Sequence, residues 1–464
     1  MSLALAVLLG YAALQVGLGL WMGRKVKGSD DFFVAGRRLG PGLLFSTLVA
    51  ANIGAGSTVG ATGLGFRDGV SAWWWVGSAG IGSLVLAFIV GPRMRQVAAK
   101  FSLSTVGDYL ERRYSKGVRG IVVLLLWVGT LTILAGQLVA AGKILQVVTG
   151  QPAWVGSIIG GVAMTAYFTA GGLAGAVWVN ALQLVVEVGV YCFLIPAAIS
   201  GAGGWGAVVA QAPADPAYWN FWQGGGSGWK YLIMLAPAFV ISPGLLQKVY
   251  GARDDRTVRI GVGLNAVLLL CFAFVPMILG IVARALHPNL TDHELALPTL
   301  LLNDLPPLLG AFGLAAAFTT DINTADAVLF MLSTSLAQDL YRGFLKPDAT
   351  DLQVLKVARG SAMAAGALGV AFAVAAPSVI GSLSIFYTLL SVCLFVPIVA
   401  GLFFPRVETR EALTSMVVGV LLTLGLHVAS AGKGFGVVTP ALLGIASAAA
   451  TCAAMTVLRA RGRP

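Results

Sequence analysis

Ala50-Ala-Asn-Ile-Gly-Ala-Gly-Ser-Thr-Val-Gly-Ala-Thr-Gly-Leu-Gly65 carries five glycines in its last twelve positions, inside a run otherwise apolar enough to cross a bilayer. Each glycine weakens a helix by up to ~1 kcal/mol. A second run, Leu235-Ala-Pro-Ala-Phe-Val-Ile-Ser-Pro-Gly-Leu-Leu-Gln247, holds two prolines and a glycine. A proline costs a helix about 3 kcal/mol and leaves a carbonyl without its backbone donor. In hydrocarbon such freed groups persist only where they line a cavity or bind something. Both runs are therefore expected to be interrupted membrane helices.

Composition places them in a membrane protein. Apolar residues make up 58% of the 464 positions, charged residues 11%, and the mean hydropathy is +0.87. A soluble domain carries about 25% charged residues. The expected class is an all-α integral membrane protein. Apolar runs of the length that spans ~30 Å of hydrocarbon lie near 2–23, 41–66, 71–92, 120–148, 153–170, 176–200, 229–250, 257–285, 309–337, 356–377, 380–404, 411–430 and 437–458, thirteen spans in all. The first is expected to be an anchor rather than a signal peptide, because no cation precedes it and Arg24, Lys25 and Lys27 follow.

The net charge of +11 follows from topology and calls for no nucleic-acid partner. With an outer N-terminus, only Arg67, Lys143, Lys230, Arg284 and Lys433 fall outside, leaving 25 of the 30 cations on the cytoplasmic side. That asymmetry is the positive-inside rule. It predicts a multi-pass protein of the plasma membrane, in a bacterium the inner one, with the N-terminus outside and the C-terminus in the cytoplasm. The lipid bilayer and a small-molecule solute are the expected partners; no obligatory protein partner is evident. Cys192, Cys271, Cys393 and Cys452 lie in apolar spans without metal or disulfide spacing, and His287, His293 and His427 form no ligand pattern. With no nucleotide-binding loop and no nucleophile motif, neither a pump nor an enzyme is expected.

The two interrupted spans sit at matching places. Counting five spans from each gives sets 2–6 and 7–11, each beginning with its broken helix, and an odd number per set forces opposite insertion. Interrupted segments at corresponding positions of two inverted halves point to a secondary-transporter site at the bilayer midplane. The organisation read from this is a peripheral helix at 1–23, a first repeat at 41–200, a second at 229–404, and two further helices with a short basic tail at 411–464.

One acid stands out. Gly313-Leu-Ala-Ala-Ala-Phe-Thr-Thr-Asp-Ile-Asn-Thr-Ala-Asp326 puts Asp321 inside an apolar span, where a carboxylate is costly unless partnered and marks ion handling by default. Thr319 and Thr320 beside it supply oxygens, which hard cations prefer.

These segments together resemble the sodium:solute symporter family, whose fold is the LeuT-type inverted repeat of five helices with discontinuous first helices. Ser29-Asp-Asp-Phe-Phe-Val-Ala-Gly-Arg-Arg38 resembles the family's cytoplasmic segment before the first core helix, Ala50-Ala-Asn-Ile53 the break in that helix, and Gly171-Gly-Leu-Ala-Gly-Ala-Val-Trp-Val-Asn-Ala-Leu-Gln183 the fifth. Gln247-Lys-Val-Tyr-Gly-Ala-Arg-Asp254 and Ser335-Leu-Ala-Gln-Asp-Leu-Tyr341 resemble the loops after the sixth and eighth. The resemblance runs from about residue 24 to about residue 410 and implies sodium-coupled symport by alternating access.

It also implies a sodium site made of the carbonyls of Ala50 and Ile53 with the carbonyl of Ala316 and the hydroxyls of Thr319 and Thr320. The last three share a helix face at spacings i, i+3 and i+4. The chain departs from the family at two places: Asn180 stands where many members keep an aspartate, and Asp321 where they keep an apolar residue. Asp321 is expected to supply the missing charge, either balancing a bound sodium or holding a proton. Glu187, seven residues after Asn180 on the same face, is a second candidate. The structural alternative is an ion pair of Asp321 or Asp326 with Lys143.

For the solute, a glycine-rich break ending in hydroxyls offers backbone N–H groups that suit an anion, so a carboxylate or amino acid is favoured. Asn52, Gly54, Gly56, Ser57, Thr58, Ser242, Gln247 and Thr324 are the expected path residues. Trp73-Trp-Trp75 reads as an interfacial anchor, with a vestibule lining as the alternative. Phe386 and Tyr387 fall where the fold places gating contacts. The competing functions are proton coupling through Asp321 or Glu187, a transporter-like sensor, and a channel. A sensor would be expected to continue into a signalling domain beyond Pro464.

Overall fold

The computed structural model describes residues 2–23, 39–222, 228–375, 378–430, 432 and 434–461, except for the side chains of 15–16, 18–23, 166–185 and 188. Among these residues the protein is a bundle of helices, with two isolated bridge contacts and no strand. In chain order the helices are α1 (Leu3–Gly23), α2 (Pro41–Asn52), α3 (Ala61–Asp68), α4 (Trp73–Val85), α5 (Gly91–Phe101), α6 (Val106–Arg113), α7 (Lys116–Thr149), α8 (Ala153–Gly201) and α9 (Trp205–Gln211). Next come α10 (Gly228–Ile241), α11 (Pro243–Tyr250), α12 (Asp255–Phe272), α13 (Phe274–Leu286) and α14 (Ala296–Asn303). The chain ends with α15 (Pro307–Thr334), α16 (Asp351–Ala375), α17 (Val379–Phe403), α18 (Thr409–Ala429) and α19 (Pro440–Arg461).

Both expected interruptions are present. α2 stops at Asn52, Ile53 is extended (φ −95°, ψ 109°), and a π-helical turn at Gly56–Gly60 leads into α3. α10 stops at Ile241, Ser242 is extended, and α11 restarts with Pro243 at its first position, where a missing N–H costs nothing. The two broken helices are tied together. Leu39 N–H donates to Gly251 O at 3.0 Å, Arg253 N–H donates to Leu39 O at 3.2 Å, and Lys248 Nζ donates to Thr47 O at 2.8 Å. Near the other end, Gly65 and Gly280 let α3 and α13 touch backbone to backbone. A Cβ at Gly280 would lie 2.3 Å from Thr62 O, and one at Gly65 2.7 Å from Met277 O.

The count of thirteen spans is not confirmed. Among the described residues eight helices are long and apolar enough to cross a membrane, or nine if Gly189–Gly201 and Trp205–Gln211, bent by 66°, form one span. The spans expected at 153–170 and 176–200 both lie within α8, whose 49 residues are more than twice the length one crossing needs. The span expected at 309–337 is helical as α15 and its continuation Ser335–Leu345, but Thr319 to Asp326 make it too polar to count as an apolar span. That polarity is tolerated because the helix is buried in protein on nearly all sides.

Candidate ion and solute site

The end of α2 and the middle of α15 meet across the break. Thr324 Oγ1 lies 3.0 Å from Ala50 O and 2.9 Å from Ile53 O, donating its one proton between two carbonyls freed by the end of the helix. All three residues are buried, Thr324 at 4% exposure. Three oxygens therefore converge where the sequence predicted a cation site.

The partner on α15 differs from the one expected. Thr319 Oγ1 donates to Ala315 O (2.8 Å) and Ala316 O (3.1 Å) and lines an apolar cavity with Leu5, Leu8 and Leu9 of α1. Thr320 Oγ1 contacts Ala316 O at 2.7 Å and the Glu187 carboxylate. Ala316 O is thus engaged by its own helix, and neither Thr319 nor Thr320 reaches the Ala50 and Ile53 carbonyls. The hydroxyl that does is Thr324, one turn further on, which the sequence placed on the solute path instead. Side chains four apart share a face, so Thr324 stands one turn beyond Thr320 on the face that carries 316 and 320.

The acids sort themselves out by contact. Asp321 is 1% exposed; Thr58 Oγ1 lies 3.3 Å from its Oδ1, and its Oδ2 has no hydrogen-bond partner. Glu187, 4% exposed, meets Thr320. Lys143 pairs with Asp292 rather than with Asp321 or Asp326, so the structural ion pair is not formed. Asp326 is buried with neither carboxylate oxygen hydrogen-bonded. Asn180 belongs to α8, and its side chain lies outside the described set.

Beside the carbonyl pair is a small cavity, about 350 Å³ of empty space. Ala51, Asn52, Gly54, Gly56 and Ser57 line it from the break, Trp75, Val76 and Ala79 from α4, Gln137 from α7, Leu235 and Phe239 from α10, Thr324 from α15, and Leu383 and Tyr387 from α17. The cavity is narrow. Of the expected path residues, Thr58 turns instead to Asp321, Ser242 marks the second break, and Gln247 lies nearer the Lys248 end. There its Nε2 donates to Ser104 O at 3.4 Å, beside a separate cavity lined by Thr105, Thr130 and Asp339.

The backbone donors expected to hold an anion are engaged in this form. Ala55 N–H donates to Gln137 Oε1 at 2.9 Å and Gly54 N–H to Ser57 Oγ at 3.2 Å. Ser57 Oγ in turn donates to Asn52 O at 2.7 Å, and Asn52 Nδ2 to Asn265 Oδ1 at 3.1 Å. Gln137 was missed in the sequence, although a buried amide inside a 34-residue apolar helix is the same signal that exposed Asp321. Trp75 is also more than an anchor: it and Trp74 are buried, and Trp75 stacks edge-on against Tyr231 and Tyr387. Over the end away from Lys248, the segment from Asp292 to Leu295 closes the bundle. Lys143 holds Asp292, and Glu294 Oε1 accepts from Ser378 Oγ and Ile380 N–H, both at 3.1 Å. Burial first, and then the Arg67 charge, hold the His293 ring in this segment below its ordinary pKa.

The family model described as "Sodium:solute symporter family" matches residues 32–419. The chain belongs to the sodium:solute symporter family. Sodium is its coupling ion, as the family and its sodium-coupled relatives show. The symporter is 27% identical to a sodium/pantothenate symporter of Escherichia coli K12 over 94% of this chain and 93% of the relative. It is 23% identical to a sodium-coupled monocarboxylate transporter 2 of Bos taurus over 89% of this chain and 71% of the relative. Its fold matches the substrate-bound, outward-open structure of a Na⁺-coupled sialic acid symporter, with a TM-score of 0.81, 16% identity, and coverage of 98% of this chain and 97% of that one. The LeuT-type all-helical class expected from the sequence is therefore the class of this symporter.

Proposed function

We propose that this symporter imports a small carboxylate together with sodium, the ion seated between the carbonyls of Ala50 and Ile53 and the hydroxyl of Thr324. The observation that carries the reading is the convergence of those three oxygens at a helix break bordering the cavity. A cation there takes the Thr324 oxygen as a ligand once the hydroxyl hydrogen turns away, and it satisfies two carbonyls that the interrupted helix leaves unpaired. The cavity beside it offers aromatic walls from Trp75, Phe239 and Tyr387 and neutral polar groups from Asn52, Ser57 and Gln137. Among the described residues no cationic side chain lines it, so the sodium itself is the counter-charge for an anionic solute. A solute acceptor would compete with Gln137 for the Ala55 N–H.

Two of the relatives support a carboxylate, their named solutes being pantothenate and monocarboxylates. Alternating access would work the two breaks, at Ile53 and Ser242, within the two inverted repeats. In this reading, which the charge asymmetry supports, the Lys248 end faces the cytoplasm and the Asp292–Leu295 segment the outside of a plasma membrane, the inner membrane if the source is bacterial. The test is uptake of labelled pantothenate and short monocarboxylates into proteoliposomes under an inward sodium gradient. Uptake that continues when choline replaces sodium would sink the assignment.

A further inference from the structure

A groove on the flank of the bundle has no part in the solute site. It lies between α10, α17, α18 and the start of α19 and encloses about 1610 Å³ of empty space. Its walls are mainly apolar, with Met234, Ile385, Leu389 and Leu424 among them. Ile385 and Leu424 are 45% and 48% exposed, so in a membrane they face lipid tails. Along α17 the lining runs from Ser378 down to Leu389. That stretch of helix rises about 16 Å, the depth of one leaflet of a ~30 Å hydrocarbon core.

The mouth of the groove is positive. Lys230 lines it from the first turn of α10, where the helix dipole disfavours a cation. Among the described residues Lys230 enters no ion pair. The starts of α17 and α19 also open onto the mouth, through Ser378, Thr439 and Pro440, and a helix start carries partial positive charge. The chain supplies these groups with no acid. α10, α17 and α19 contain none, Glu411 of α18 lies at the opposite end of that helix, and the connection 430–439 holds Lys433 and no acid. Glu294 reaches Ser378, but it is buried and engaged by Ser378 Oγ and Ile380 N–H. Below the mouth the Ser384 hydroxyl lines the groove with no hydrogen-bond partner among the described residues. A lysine and three helix starts without an acid call for an anion, and an apolar groove one leaflet deep calls for a hydrocarbon chain.

We propose that this groove binds one anionic phospholipid, with its phosphate at Lys230 and the helix starts and an acyl chain along α17. The Ser384 hydroxyl is placed to donate to a glycerol-ester oxygen. A zwitterionic lipid carries its own cation beside the phosphate and gains less from Lys230. The site adjoins the transport machinery: on their other faces the same two helices wall the solute cavity, with Leu235 and Phe239 from α10 and Leu383 and Tyr387 from α17. Ser391 Oγ of α17 donates to Met234 O of α10 at 2.7 Å, so a lipid in the groove braces a contact already present.

The test is native mass spectrometry of the purified full-length protein in detergent carrying equal amounts of phosphatidylglycerol and phosphatidylcholine. Wild type is expected to retain one phosphatidylglycerol with a roughly fivefold preference, the effect of one cation on an anionic lipid. Lys230→Arg should keep that preference and Lys230→Gln should abolish it. Leu424→Trp, which fills the groove from its exposed side, should retain one lipid fewer. Equal retention of the two lipids by wild type overturns the proposal, as does an undiminished preference in Lys230→Gln. Equal loss in Lys230→Arg and Lys230→Gln overturns it too, because the charge is then not what holds the lipid. Unchanged lipid retention in Leu424→Trp would also overturn it. A lipid-free dimer that Leu424→Trp dissociates would overturn it in favour of a second copy of the chain covering the groove.

Discussion

Gly54→Ala tests the closeness of α2 and α15 directly. A Cβ at position 54 would stand 2.3 Å from Thr324 Oγ1, 2.6 Å from Thr324 Cβ and 2.9 Å from Gln137 Oε1. Carbon atoms in contact sit about 3.5–4.0 Å apart, so close to 1 Å of separation is missing. Turning Thr324 about its first side-chain bond moves the hydroxyl but not the Cβ, and the backbone itself must shift. Overpacking of this kind costs about 1–3 kcal/mol. Because the cost falls on the arrangement that joins Thr324 to the Ala50 and Ile53 carbonyls, it weakens sodium binding by the same amount, on the order of 5–150-fold. The assay is the sodium concentration giving half-maximal thermal stabilisation of purified protein, followed by the sodium dependence of uptake. Adding Thr324→Ser should not rescue the variant, since the serine keeps its Cβ. A well-expressed Gly54→Ala protein with an unchanged sodium requirement would refute the packing of α2 on α15.

Three further outcomes follow from the same geometry. Thr324→Ser should keep coupling, while Thr324→Ala should lose a hydroxyl–cation contact worth about 1.5–3 kcal/mol and raise the sodium required for uptake at least tenfold; equal sodium curves for the two would remove Thr324 from the site. Gln137→Glu sets a charge beside the cavity, and like charges about 4 Å apart repel by about 4 kcal/mol at an effective dielectric near 20. Carboxylate uptake should therefore fall more than tenfold, and uptake at the wild-type rate would contradict an anionic solute held there. The third concerns His293, whose ring is held below its ordinary pKa by burial and Arg67. As pH falls through the ordinary imidazole value the unfolded chain protonates first, so stability is full above that value and declines until the lower folded value is passed. Thermal unfolding at neutral and mildly acid pH should show this decline, and His293→Gln should flatten it.

The two interruptions were legible because glycine and proline act on the backbone locally, and Ile53 and Ser242 lie where those residues put them. The height of α15 against α2 was not legible. Residues 316, 320 and 324 lie on one face, and choosing among them needs the axial offset of two helices 270 residues apart in sequence. That offset is set by packing spread over the bundle, such as the Gly54–Thr324 approach, and by no single motif. Trp74 and Trp75 were ambiguous for a related reason: a tryptophan at the end of an apolar run looks the same whether lipid headgroups or Tyr231 and Tyr387 receive it. Gln137 was readable but unread, since a lone amide in an apolar helix carries less alarm than a lone acid.

α15 shows how one helix can carry several polar groups inside a membrane protein. Its polar residues, 319 to 326, are too many for a lipid-facing span, yet the threonines and Asp321 each meet a different neighbour, while Asp326 stays buried without a hydrogen bond. Thr319 returns to its own backbone on the side of α1, Thr320 and Asp321 turn to Glu187 of α8 and to Thr58, and Thr324 turns to the α2 carbonyls. A helix advances about 100° per residue, so adjacent threonines necessarily diverge, while a step of three or four residues returns to the same side. The Asp321 group and Thr324 are one such step apart, and Gly54 joins them: its carbonyl takes the Thr58 hydroxyl, and its missing side chain admits Thr324. Any shift of the break that opens the cavity must therefore disturb both sets of oxygens together. In the proposed reading, ion binding and solute access are coupled through that shared residue.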